Sequence, residues 1–154
     1  MKLTLWEKDS KNMKYTPVLI LFALFSYAFL FNLNDDINRA GVKNITNETM
    51  AFNFLSATKA FDDYYSSHPG ISGDVTEIVD YQNWLPKNKS VNMVVANGVG
   101  YVFSPATEGV YSVLLEKTGG SSFMGFSDST WIKTPSGKIP KPSFIGTDYI
   151  VYMR

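Results

Sequence analysis

The chain opens on a mixed, polar stretch, MKLTLWEKDSKNMK, and from Tyr15 to Leu33 becomes almost continuously apolar, with TPVLILFALFSYAFLF at its centre. Between Pro17 and Phe31 the polar exception is Ser26, and nothing is charged. A spanning helix needs about 20 such residues, whereas the core of a cleaved signal is about 7–15 long. Ser26-Tyr27-Ala28 has the small-x-small spacing of a cleavage site, but Phe29, Leu30 and Phe31 follow at once, so a cut would fall inside the apolar run. The pattern predicts an uncleaved transmembrane signal anchor over residues 15–33. Lys2, Lys8, Lys11 and Lys14 precede it, while Asp35, Asp36 and Arg39 follow it. Basic residues stay on the cytoplasmic side of a span. Residues 1–14 are therefore expected to be a cytoplasmic leader, and the chain beyond the anchor to be exported.

Past the anchor the periodicity changes twice. Residues 34–45 are polar and contain Gly41, and read as a juncture or a frayed continuation of the anchor helix. Asn44, Thr46 and Asn47 are each competent N-caps. From Thr46 to Ser66 the apolar positions Met50, Phe54, Ala57, Phe61 and Tyr64 recur at helical period, widened by Phe52, Leu55, Ala60 and Tyr65. Asn53, Ser56, Lys59 and Asp63 lie off that stripe. His68-Pro69-Gly70 should end the helix, since proline cannot continue it.

Beyond Gly73 the pattern is that of strands. In VNMVVANGVGYVFS (Val91–Ser104), Asn97-Gly98 separates two β-branched runs, the signature of a hairpin with a type I′ turn. Residues 107–118 fit a short helix better than a strand, with Val110, Val113 and Leu114 on one face and Gly119-Gly120 as its C-cap. Phe123–Phe126 and Trp131–Thr134 read as strands, and Pro135–Lys138 as a turn. Pro140 and Pro142 suggest an extended connection, and Tyr149–Met153 a closing strand. The expected fold is α+β: a transmembrane helix, then an amphipathic helix packed on a small, mostly antiparallel sheet, in a periplasmic domain of residues 46–154.

Composition narrows the function. A net charge of zero in 154 residues removes the electrostatic case for nucleic-acid binding. With no cysteine there are no disulfides, thiol chemistry or cysteine-held metals. Aromatic residues make up 15%, which suits sheet packing and protein contacts. The single histidine, His68, stands at a helix-ending proline, with no nucleophile-elbow pattern elsewhere. Asp62, Asp63, Asp74, Glu77 and Asp80 are scattered, and Asp74–Asp80 lacks the glycine and glutamate positions of a calcium loop. Gly98-Val99-Gly100 and Gly119-Gly120 lack the lysine or third glycine of a phosphate loop. A glycosidase would need two carboxylates brought together by the fold, and nothing in the sequence singles out a pair. No catalytic, cofactor-binding or metal-binding residue is assigned, and the chain is expected not to be an enzyme.

A series of short segments runs from Ala60 to Met153: AFDDYYSSHPGISGDV, NWLP, GYVFSP, GVYSVLLEKTGGSSFMGF, KTPSGK and IPKPSFIGTDYIVYM. In this order they resemble the PilM family, small inner-membrane proteins of plasmid-type thin (type IV) pilus operons. The resemblance implies a leader, one span and a periplasmic domain acting in pilus biogenesis and conjugation, without catalysis or cofactor. Implied partners are inner-membrane lipid and pilus or secretion assembly proteins, with self-association into a homo-oligomer left open and no nucleic acid. Asn53, Ser56, Lys59, Asp63 and the aromatic strand after Asn97 are the expected contact surface. Two alternatives stand beside it. A pilin or pseudopilin would carry a prepilin-peptidase glycine, and the chain has no glycine before Gly41. An exported cell-wall-active enzyme would need an acidic pair.

Overall fold

The computed structural model describes residues 16–80 and 90–154. The expected leader and Trp84-Leu85-Pro86 lie outside the described residues. The chain divides into two compact units, Met1–Asn44 and Ile45–Arg154. One helix, α1 (Thr16–Ser67), contributes to both.

In the first unit α1 is helical through residues 34–44, the stretch read as a juncture or a continued anchor helix. The spanning helix expected over 15–33 is not met among the described residues: none of their helices is long and apolar enough to cross a membrane, and part of the run falls outside them. Within it Ile20, Leu21, Phe22, Leu24, Phe25, Tyr27 and Phe29 are 55–73% exposed.

No helix begins at Asn44, at the end of the first unit, or at Thr46 or Asn47 in the second, because α1 is already under way. Upstream carbonyls accept from the N–H groups that a cap would otherwise serve. Asn47 is instead buried. The buried face of α1 carries Ala51, Phe54, Ala57, Thr58 and Phe61. Met50, expected on that stripe, is 41% exposed and Ala51 takes its place. The two alanines let the helix approach the sheet closely, while Phe54 and Phe61 fill the space between. Burying each phenylalanine is worth about 1.5–3 kcal/mol. The helix ends at Ser67, where Pro69 follows.

The sheet contains β1 (Gly73–Asp74), β2 (Asn92–Ala96), β3 (Val99–Pro105), β4 (Met124–Ser127), β5 (Trp131–Thr134), β6 (Gly137–Pro140) and β7 (Tyr149–Met153). Their order across it is β1-β2-β3-β7-β4-β5-β6, every pair antiparallel. The β2–β3 hairpin turns on Asn97 and Gly98, with φ of 54° and 77°, as a type I′ turn requires. A second helix, α2 (Val110–Lys117), buries Val110 and Leu114. It closes in a Schellman motif: Gly120 N–H donates to Leu115 O (2.7 Å) and Gly119 N–H to Glu116 O (3.2 Å), both glycines having positive φ.

Both faces of the sheet are used. One carries the larger core, where Phe54 and Phe61 of α1 and Leu114 of α2 meet Met93, Val102, Met124 and Ile150. The other carries Phe103, Ile132, Val151 and Met153, packed with Ile145. Residues 141–148 bring Ile145 there. Buried Ser127 holds this segment, its Oγ donating to Gly146 O (2.8 Å) and accepting from Tyr149 N–H (2.9 Å). Pro140, expected in an extended connection, lies in edge strand β6, where a missing N–H costs no ladder bond. Pro142 accepts from Ile145 N–H (3.1 Å) in a turn.

Candidate interaction surface

His68, Asp62, Asp63 and Asp74, singled out in the sequence, go to structural partners. His68 Nδ1 lies 2.9 Å from Tyr64 O, and its ring stacks on that of Tyr64 at 4.2 Å between centroids. Among the described residues no three His, Cys, Asp or Glu side chains gather as a metal site. Asp74 accepts from Thr76 N–H (2.9 Å), shaping the turn after β1.

Asp62 is different, and sequence reading missed its role. Tyr152 Oη donates to Asp62 Oδ2 at 2.8 Å, and Arg154 Nη1 stands 2.9 Å from Asp62 Oδ1. The approach to Oδ1 is an ion pair without hydrogen-bond alignment, since Oδ1 has no hydrogen-bond partner. Arg154 also donates to Asp62 O (3.1 Å) and Ser66 Oγ (2.9 Å). Burial, and next the hydrogen bond to the Asp62 carboxylate, push the Tyr152 phenol up to about 12. The cluster ties the last turns of α1 to β7. It joins residues some 90 positions apart, so no local pattern could have announced it.

Asp128 closes the β4–β5 turn, accepting from Trp131 N–H (2.7 Å) and Thr130 N–H (2.8 Å) with Lys133 at 2.9 Å. The two backbone hydrogen bonds, then Lys133, hold its carboxyl far below the usual carboxylate range. These groups build turns and latches.

The expected contact surface is only partly outward. Lys59 and Asp63 are exposed and paired at 3.4 Å, while Asn53 and Ser56 are half-buried. The aromatic strand after Asn97 is largely covered, which corrects the reading of it as free surface. Val102 is fully buried, and Phe103 lies 6.0 Å from both Phe144 and Tyr149. Tyr101 meets Phe144 edge-on at 5.5 Å. The segment that covers them, residues 141–148, carries no strong sequence signal beyond Pro142.

Two concavities flank the tip of the β5–β6 hairpin, Thr134 lining both. One, of about 670 Å³, lies between the start of α2 and β5, with Tyr111, Leu115, Phe126 and Pro135 in its wall. The other, of about 480 Å³, lies on the opposite face of the sheet over Val99, Tyr101, Phe123, Ile139 and Met153. Phe123 is 60% and Ile139 40% exposed there.

The fold is similar to that of a solved protein from Escherichia coli B7A assigned as PilM. The TM-score is 0.59 at 23% identity, covering 73% of this chain and 94% of that one. Among curated proteins none matches the chain. The model of the PilM family matches residues 20–153, and the chain belongs to the PilM family.

Proposed function

We propose that this chain is a non-catalytic, inner-membrane component of a type IV (thin) pilus assembly apparatus, holding assembly proteins through its periplasmic domain. Family membership points to a pilus-related role, and the match over residues 20–153 is the observation that carries the reading. The membrane placement draws on the apolar run of residues 15–33 and on the basic leader, Lys2 to Lys14, which sets the amino terminus in the cytoplasm. A scaffold role fits the side chains that would otherwise invite chemistry: Asp62 is engaged by Tyr152 and Arg154, Asp128 by backbone amides and Lys133, His68 by Tyr64.

Alkaline phosphatase fused after Arg154 tests the placement; activity is expected, and the purified product should retain Met1–Phe31. A product beginning near Phe29 would overturn the anchor. Deleting the gene should abolish pilus-dependent conjugation in liquid, and in-cell crosslinking should recover pilus assembly proteins. Normal pili in the deletion strain would sink the role. Release of peptidoglycan fragments by the purified protein would replace the scaffold with an enzyme.

A further inference from the structure

We infer that Asn97 is a site of spontaneous deamidation, held shut in the folded protein by the β2–β3 turn and by Tyr65 of α1, which pins that turn.

Asn97 is the only asparagine in the chain that a glycine follows; every other precedes a residue with a side chain. A glycine nitrogen is the least hindered nucleophile that the backbone offers. When Gly98 N attacks Asn97 Cγ, the N–Cγ bond forms and the Cγ–Nδ2 bond breaks. The side-chain nitrogen leaves as ammonia, taking the proton that Gly98 gives up. Water then opens the resulting succinimide. Cleavage at Cγ leaves aspartate. Cleavage at the main-chain carbonyl leaves isoaspartate, whose backbone runs through Cβ and Cγ and is one carbon longer.

The reacting groups are accessible. Asn97 and Gly98 are exposed at the hairpin tip, and neither the Asn97 side chain nor the Gly98 N–H has a hydrogen-bond partner among the described residues. The backbone is what keeps them apart. At φ 54° Asn97 stands in the left-handed region, where ψ is also positive, at about 30–60°. In an L-residue such a ψ turns Cβ almost opposite to the next nitrogen, so Cγ cannot reach Gly98 N. Ring closure needs the two on the same side, and the turn must open to bring them there.

Two contacts resist that rotation. The Ala96–Val99 pair closes the turn, and Tyr65 Oη donates to Gly98 O at 2.9 Å. Tyr65 is itself steadied by its stack on buried Phe61, at 5.6 Å between centroids. Helix α1 therefore guards a bond in the hairpin that it packs against. Opening has a lasting consequence, because an extra backbone carbon does not fit a two-residue turn whose twist matches its strands.

The test incubates the purified full chain in mildly alkaline buffer, folded in detergent or unfolded in urea. Mass spectrometry of the tryptic peptide Ser90–Lys117 reads the conversion. It should fall on Asn97 and run at least about tenfold slower in the folded chain, where only the open fraction of the turn reacts. Tyr65→Phe keeps the ring stack and loses the bond to Gly98 O. It should speed the folded reaction about threefold, the net worth of one hydrogen bond. Gly98→Ala, read in urea where folding plays no part, should suppress the reaction. Chain deamidated in urea and then refolded should unfold at a lower midpoint than chain passed briefly through urea. Equal rates in folded and unfolded chain overturn the inference. So does a Tyr65→Phe variant of unchanged circular dichroism that reacts no faster, a Gly98→Ala chain that reacts as fast, or an unshifted midpoint.

Discussion

At Gly100 even a methyl group would enter the ring of Phe61. An added Cβ would lie 2.5 Å from two of its carbons, and Phe61 is fully buried. Gly100→Ala should therefore destabilise the fold by about 1–3 kcal/mol, the usual cost of overpacking. Thermal unfolding of the purified chain checks this, and an unchanged midpoint would mean that the helix does not press on β3. Tyr152 supplies a pH signature. Its folded pKa, about 12, stands above the ordinary 10.0, so the folded state holds the proton more tightly. That stabilisation is complete below pH 10 and is lost as pH rises through about 12. A phenolate absorbance titration should show one late tyrosine, and Asp62→Asn should return it toward the ordinary range. Neither effect is visible from composition, because each depends on a neighbour distant in sequence.

Elements are where local chemistry speaks most clearly. Asn97-Gly98 places two residues at positive φ between β-branched runs, and the hairpin read over Val91–Ser104 is met in strands Asn92–Ala96 and Val99–Pro105. Gly98→Val should cost about 1 kcal/mol or more, since a β-branched side chain resists the left-handed region. It would show as a lowered unfolding midpoint, and no shift would mean that the turn tolerates other geometry. The Gly119-Gly120 cap of α2 was equally readable, because glycine meets the positive φ of a Schellman close at least cost. The stripe on α1 was readable in kind but displaced in phase. Hydrophobicity ranks Met50 above Ala51, yet a helix lying close on a sheet favours the smaller side chain inward.

On the scale of the whole domain, β7 decides the architecture. It is the last strand in sequence, but it lies between β3 and β4 and joins β1–β3 to β4–β6. Removing residues 149–154 should leave two fragments of sheet with opposed unpaired edges, and should take Tyr152 and Arg154 from Asp62. Cooperative unfolding by circular dichroism should be lost. A truncated chain that still melts in one sharp transition would show that β7 is dispensable.

The sequence alone determined what depends on neighbours a few residues apart: helical period in residues 46–66, the Asn97-Gly98 turn, the glycine cap after α2, the strands Trp131–Thr134 and Tyr149–Met153, and the α+β class. Its ordered segments also carried the resemblance that family membership bears out. Only the tertiary structure decided which of those pieces touch. It put β7 at the sheet centre, turned Ala51 rather than Met50 inward, and covered the aromatic strand with residues 141–148. It also joined Asp62 to Tyr152 and Arg154. The reason is physical. Turns, caps and periodicity are set by backbone sterics and hydrogen bonds within a few residues, whereas burial and strand pairing are settled by the whole core at once.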